Sequence, residues 1–384
     1  MKPSLRSPFP TNEQELLLKA CLLSGELMQT SYNSWKSLVN IETDVEHGSF
    51  RQLPLLYLNL NRHPINDELM PRLKGMYRKS WSNNQILFFK MGQVLRLLHQ
   101  KGIRTMVLKG VALSLLAYKN FAVRPMADMD IMVPVSQANL TIDWLKQNGW
   151  KSSVETNDEY YLNHSKSVTL INDENTELDL HWYPLDECFG IMHDEMFWDK
   201  AVTMTVSGEN TLALCPADEL LLTIVHGLMP NVEPPIRWIA DSYILITSKD
   251  LKIDWERLVE YAKKLSVIIQ VKEGLKYLKV NFSAPIPEDI YNRIQLIKPS
   301  LADRILYNQG KRRGVYVYHP SFEKILSVYA DYLKNTTHKG MVSQHIGFLK
   351  FMRQRTKGKN YFRILVYYLS VLLKSNRKQN KTGA

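Results

Sequence analysis

The hydrophobic spacing of this chain changes abruptly at Gly102. Before it, apolar residues recur at helical intervals. Ile86, Leu87, Phe89, Met91, Val94, Leu95, Leu97 and Leu98 predict a helix over Asn83–Gln100. Lys101-Gly102 supplies a basic last turn and a helix-ending glycine. After it the apolar runs are short. Ile103–Leu108 reads as a buried strand and Lys109-Gly110 as a break. Val111–Tyr118 reads as a helix and Met129–Val133 as a second strand, stopped by Pro134. Ser136 is placed to cap a helix over Ala138–Gln147, closed by Asn148-Gly149. Val168–Ile171 and Leu178–Trp182 flank a polar turn and predict a hairpin. Strands and helices mixed over about 80 residues form a small α/β or α+β core.

The flanks read as helical. Glu13–Leu27 has a broad apolar face, and Leu53–Tyr57 opens an apolar stretch whose type the pattern leaves open. Past residue 186, Pro216–Met229, Arg237–Ile246 and Asp254–Leu265 carry helical patterns. The expected division is a helical region over 1–100, the core over 101–185, a helical domain over 186–335 and a basic tail over 336–384.

Hydrophobic residues make up 45% and charged residues 23% of the chain, which excludes a disordered or collagenous protein. The net charge of +11 points toward nucleic acid or an anionic membrane. However, Tyr332–Ala384 holds 12 Lys or Arg and no acid, leaving residues 1–331 at −1. The excess therefore belongs to the tail. Three readings of the tail stay open: a packed final helix with a solvated basic rim, peripheral attachment to anionic lipid, or nucleic-acid contact. Its apolar run, Ile364–Leu373, has ten residues, about half the ~20 needed to span a bilayer. Cys21, Cys188 and Cys215 are far apart and form no CxxC, so buried free thiols are expected. Met1–Asn12 holds three prolines and no apolar core, so no signal peptide is expected and the location reads as cytoplasmic.

The chemistry-bearing residues cluster in the core. Asp128 and Asp130 are two apart, so on a strand they share a face at about 6.5–7 Å. Like charges about 4 Å apart repel by roughly 4 kcal/mol at an effective dielectric near 20, a cost that a divalent cation between them removes. Asp179 interrupts the apolar alternation Leu178-Asp179-Leu180 and supplies a third carboxylate. Three such groups can hold two metals about 3.5–4 Å apart, and Mg²⁺ suits carboxylate and phosphate oxygens. Glu177 and His181 share the face of Asp179, as supporting partners or as the polar side of the hairpin. Gly110 follows a strand and opens a helix, where a phosphate can meet backbone N–H groups, and Lys109 adds a point charge. Arg124 is placed to bind phosphate or pair with a carboxylate.

The ordered set resembles the DNA polymerase beta-like nucleotidyltransferase superfamily, and within it a bacterial family of uncharacterised nucleotidyltransferases. The residues that carry the resemblance are Gly102-Ile103 with Leu108-Lys109-Gly110, then Arg124, Asp128, Asp130 and Ile131. Leu180-His181-Trp182 follows, then His226 and Arg237-Trp238-Ile239-Ala240-Asp241. It spans roughly residues 15–265. It implies an α+β fold, a small mixed-sheet nucleotidyltransferase core between helical regions.

The activity implied is Mg²⁺-dependent transfer of a nucleoside monophosphate from an NTP such as ATP to an acceptor, in surface-polysaccharide or natural-product biosynthesis. Asp128 and Asp130 become the principal metal ligands, with two Mg²⁺ ions expected. Asp179 becomes the third ligand and base. Lys109, Gly110 and Arg124 face the triphosphate, and His226 and Arg237 line the cleft or, alternatively, form a core histidine and an Arg237–Asp241 pair along one helix. The chain departs from the superfamily at Val111, where glycine or serine is usual. Two other readings stand beside transfer: a non-catalytic scaffold of the same fold held at the membrane by its tail, and a nucleotide-transferring toxin acting on RNA or protein.

Overall fold

A computed structural model describes residues 7–63, 65–152, 165–185, 191–229, 236–300 and 341–355, with isolated positions 162, 188, 303–304, 307–308, 329 and 332. The fold is α+β. Five helices come first: α1 (Asn12–Leu22), α2 (Gly25–Leu38), α3 (His47–Phe50), α4 (Leu53–Arg62) and α5 (Met70–His99). The expected single helix over Glu13–Leu27 is two. The Asn59 amide donates to the carbonyls of Ala20 and Leu23, and Gly25 turns the chain at φ +65°. The stretch opened by Leu53–Tyr57 becomes α4. The stop after α5 is as the sequence predicts: Gly102 has φ +67°, and the Ile103 N–H returns to the Leu98 carbonyl.

That return bond shortens the next strand. Ile103 is committed to the helix end, so β1 is only Met106–Val107 rather than Ile103–Leu108. Helix α6 (Lys109–Leu113) runs into a π-helical turn over Ser114–Tyr118, closed by Lys119 at φ +49°. Strand β2 (Met129–Met132) leads past Pro134 into α7 (Val135–Gln147). The helix begins before Ser136, and no side chain caps it, so that expected cap is not formed. Strand β3 (Lys151–Ser152) and the expected hairpin, β4 (Ser167–Ile171) with β5 (Glu177–His181), follow.

The sequence reads as helical after residue 186, yet two strands occur there. After α8 (Ile191–Trp198) come β6 (Val202–Val206) and β7 (Glu209–Ala213), an antiparallel pair. Their two-residue turn, Ser207-Gly208, has φ +48° and +84°. Such turns match the twist of paired strands, and Ser-Gly between alternating runs is the signal that the helical reading passes over. β7 lies parallel to β1. Among the described residues the sheet has seven strands, in the order β3-β4-β5-β2-β1-β7-β6.

Helices α9 (Pro216–Gly227), α10 (Arg237–Thr247), α11 (Trp255–Lys264), α12 (Ile268–Phe282) and α13 (Glu288–Leu296) cover the core, and α14 (Met341–Arg355) follows. One cluster of buried apolar residues runs from Leu17 to Ile294, so helices on both sides share their core with the sheet. Cys21, Cys188 and Cys215 are buried thiols, as expected. No helix among the described residues is long and apolar enough to cross a membrane. Ile364–Leu373 and most of the basic tail lie outside the described residues.

Candidate active site

The centre of the sheet places the carboxylates. β2 and β5 run parallel with Asp130 opposite Asp179 and Met132 opposite His181. Neighbouring strands lie about 4.8 Å apart, so residues in register present their side chains together. Asp130, Asp179 and His181 offer ligand atoms that all lie within 4.8 Å of one another. Two carboxylates and an imidazole at that spacing fit a single divalent cation. Asp128 is not in this set. It precedes the first residue of β2, and its side chain is exposed at the cleft. The structure thus groups His181, rather than Asp128, with the other two acids.

Each member is held. Asp130 is buried, with one oxygen, Oδ1, taking Lys109 Nζ at 2.5 Å and His181 Nε2 at 3.0 Å. Burial alone raises its carboxyl, but Lys109 and His181 together hold it far below the ordinary carboxylate range. His181 is buried, and its Nδ1 faces the Tyr183 carbonyl at 3.2 Å, which fixes the ring. The Thr169 hydroxyl donates to Asp179 Oδ1 at 2.5 Å from β4. Burial opposes the Lys109 charge, but Asp130, with Asp128 and Asp179 adding, raises its pKa. Lys109 sits at φ +50°, a left-handed conformation uncommon for a residue with a side chain. Glu177 is exposed at the edge of the group. Residual burial, then the charges of Asp179 and Asp128, raise its carboxyl.

Asp130 and Lys109 of this group, though not Asp179 or His181, line a cleft of about 460 Å³ whose wall also includes Gly110, Arg124, Asp128, His226 and Arg237. Arg124 is buried and commits Nε and Nη2 to Asp241, both at 2.9 Å. Asp241 also accepts from the Tyr118 hydroxyl at 2.8 Å. The i,i+4 pair of Arg237 with Asp241, the alternative reading of that motif, is therefore not formed. Arg237 instead donates to the Pro125 carbonyl at 2.7 Å. Burial, then the charge of Arg124, lowers its pKa to about 10, with Arg51 adding.

The His226 ring is open to the cleft, yet the protein mass around it, and then Lys109, lowers its pKa to about 3. It is thus a wall of the cleft and not a core histidine. At Gly110, a Cβ would come within 2.6 Å of Arg124 Nη1 and 2.8 Å of Met126 Sδ. Here glycine admits those side chains against the first turn of α6. Val111, the departure from the superfamily, is 2% exposed and packs into the core.

Sequence reasoning does not find His47 and Arg51, which bring the N-terminal helices to the same cleft. No local period marks them, because they join the site only through tertiary packing. Asp241 is visible in its motif, but its partner, Arg124, lies 117 residues away.

Similar solved structures include the antibiotic-resistance factor ANT(2'')-Ia, at 12% identity and a TM-score of 0.35, covering 52% of this chain and 97% of that one. Another is an antigenic nucleotidyltransferase-like protein from Paracoccidioides brasiliensis, at 14% identity and a TM-score of 0.33, covering 55% and 97%. No curated protein matches the chain. Residues 51–283, more than half of the sequence and every strand of the sheet, match a family profile. The chain accordingly belongs to the family described as uncharacterised nucleotidyltransferase.

Proposed function

We propose that the protein moves a nucleoside monophosphate from an NTP to an acceptor hydroxyl or phosphate and releases pyrophosphate, with Mg²⁺ as cofactor. The observation that carries this reading is the registered Asp130–Asp179 pair with His181, beside a cleft lined by basic side chains. Asp130 and Asp179 would hold the metal, with Asp128 at the cleft mouth as a further carboxylate should a second ion bind. When bound, the metal supplies charge neutralisation at the phosphates and lowers the pKa of a coordinated oxygen.

The protein's own groups do the rest. Asp130 stays ionised because Lys109 and His181 face it. Asp179, oriented by Thr169, accepts the proton of the acceptor oxygen as that oxygen bonds to the α-phosphorus. The bond from the α-phosphorus to the bridging oxygen breaks, and its electron pair leaves with pyrophosphate. Lys109, with Arg124 behind Gly110, lies on the phosphate side, and His226 and Arg237 form the wall. The setting in surface-polysaccharide or natural-product biosynthesis rests on the family resemblance alone.

The test is pyrophosphate release from labelled NTPs with Mg²⁺ and a cell extract as acceptor source. Asp130→Asn is expected to lower it at least ~100-fold, the order for a group that acts only in the transition state. Activity unchanged in that variant refutes the reading.

A further inference from the structure

The charges around the cleft do not all find partners. Lys109 is matched by Asp130, and Arg124 by Asp241. Two guanidinium groups are left over. Arg51, in the turn between α3 and α4, is half-buried, and its side chain makes no hydrogen bond or ion pair among the described residues. Arg237, at the first turn of α10, donates only to the neutral Pro125 carbonyl, and Asp241, which attracts it, makes no ion pair with it and is held by Arg124. The two come from distant parts of the chain, line one cavity and repel each other enough that Arg51 helps depress the pKa of Arg237. On the acidic side, only Asp128 in the cleft lining lacks a cationic partner within ion-pair distance among the described residues, and its charge acts on Lys109. Holding two like charges half-buried without a counter-ion in contact is unfavourable, and an anion between them reverses the sign of that energy.

We propose that Arg51 and Arg237 form a phosphoryl-binding subsite in this cleft, distinct from the carboxylate centre on β2 and β5. The fork of a guanidinium matches two oxygens of a phosphate, which a lysine ammonium does not. The cavity, about 460 Å³, falls in the range of small-molecule sites. The ligand chemistry is a phosphate group with two or more free oxygens. It has two sources under the reading above: the β- and γ-phosphates of the NTP, or a phosphate on the acceptor. Only the naming of these sources rests on that reading. The anion site itself stands on the two unmatched cations.

The experiment is calorimetric titration of the full chain with inorganic pyrophosphate in EDTA, so that neither metal nor transfer enters. Wild type is expected to bind, and Arg51→Gln and Arg237→Gln to weaken binding ~10-fold each, the usual effect of losing one charge-assisted contact. Arg51→Lys is expected to fall between. Arg96→Gln is the control, because Arg96 pairs with Glu209 and does not line the cleft. Arg51 has no side-chain partner to lose, so the folded state of Arg51→Gln, checked by its thermal transition, is expected to match wild type.

A second titration uses methyl phosphate in the presence of a saturating, non-hydrolysable Mg²⁺–NTP analogue. Binding that persists and still depends on Arg51 assigns the subsite to the acceptor. Binding lost by competition assigns it to the NTP. Both outcomes support the subsite. Pyrophosphate affinity in Arg51→Gln and Arg237→Gln equal to wild type, or no binding by wild type at millimolar ligand, overturns it. Because no transfer is measured, a failure here is separable from a failure of the proposed activity.

Discussion

Glu219 offers the sharpest test of the electrostatics behind the site. It lies in α9, is 4% exposed, and neither carboxylate oxygen has a hydrogen-bond partner. It lines an apolar cavity of about 150 Å³ under α6 and the π-helical turn. Burial raises its pKa to about 8, against a partial pull downward from Arg124. Between pH 4.5, where the unfolded group titrates, and about 8, the folded protein therefore keeps a proton that the unfolded chain has lost. Stability then falls as pH rises, by about 1.4 kcal/mol per pH unit. The integrated loss from pH 5 to pH 8 is about 3 kcal/mol. Glu219→Gln keeps the shape and removes the titration. Urea unfolding of both proteins, followed by tryptophan fluorescence across that range, isolates the term, because the other groups titrate in both and cancel. The variant is expected to gain about 3 kcal/mol relative to wild type between pH 5 and pH 8. A difference that stays constant with pH would falsify the claim that Glu219 is neutral in the fold.

Three other changes test the framework that positions the cleft. A Cβ at Gly227 would lie 2.1 Å from Trp238 Cβ, so Gly227→Ala is expected to part α9 from α10 and cost about 3 kcal/mol. Gly75→Ala, on an open face of α5 with nothing within 4 Å, is expected to stabilise by about 0.5–1 kcal/mol, and thermal melts compare the two. Asp241→Ala strips the buried Arg124 of both its carboxylate contacts and is expected to cost about 3–5 kcal/mol in urea unfolding. A cost below about 1 kcal/mol would mean that the pair does not anchor the cleft.

Much of the local chemistry is legible in the amino-acid order alone. The stop at Gly102, the hairpin of β4 and β5 and the strand over Met129–Met132 follow from periodicity and turn residues that act over a few positions. The motif residues Asp130 and Asp179 are legible for the same reason, since a carboxylate within an apolar alternation is conspicuous. His181 shares the face of Asp179 by strand alternation, but that leaves its role open, because only the register of β2 against β5 brings it to Asp130. The hairpin of β6 and β7 is written in its alternation and its Ser-Gly turn, and the surrounding helices mask it.

Pairing across distance comes from the tertiary packing. The sequence offers Arg237 to Asp241 four residues away. The fold gives Asp241 to Arg124 and leaves Arg237 facing the cleft with Arg51. Helical spacing says which side chains share a face, but not what packs opposite that face. The change of spacing at Gly102 therefore determined the sheet and its acids. The packing of the helices around that sheet decided which cations remain without a partner.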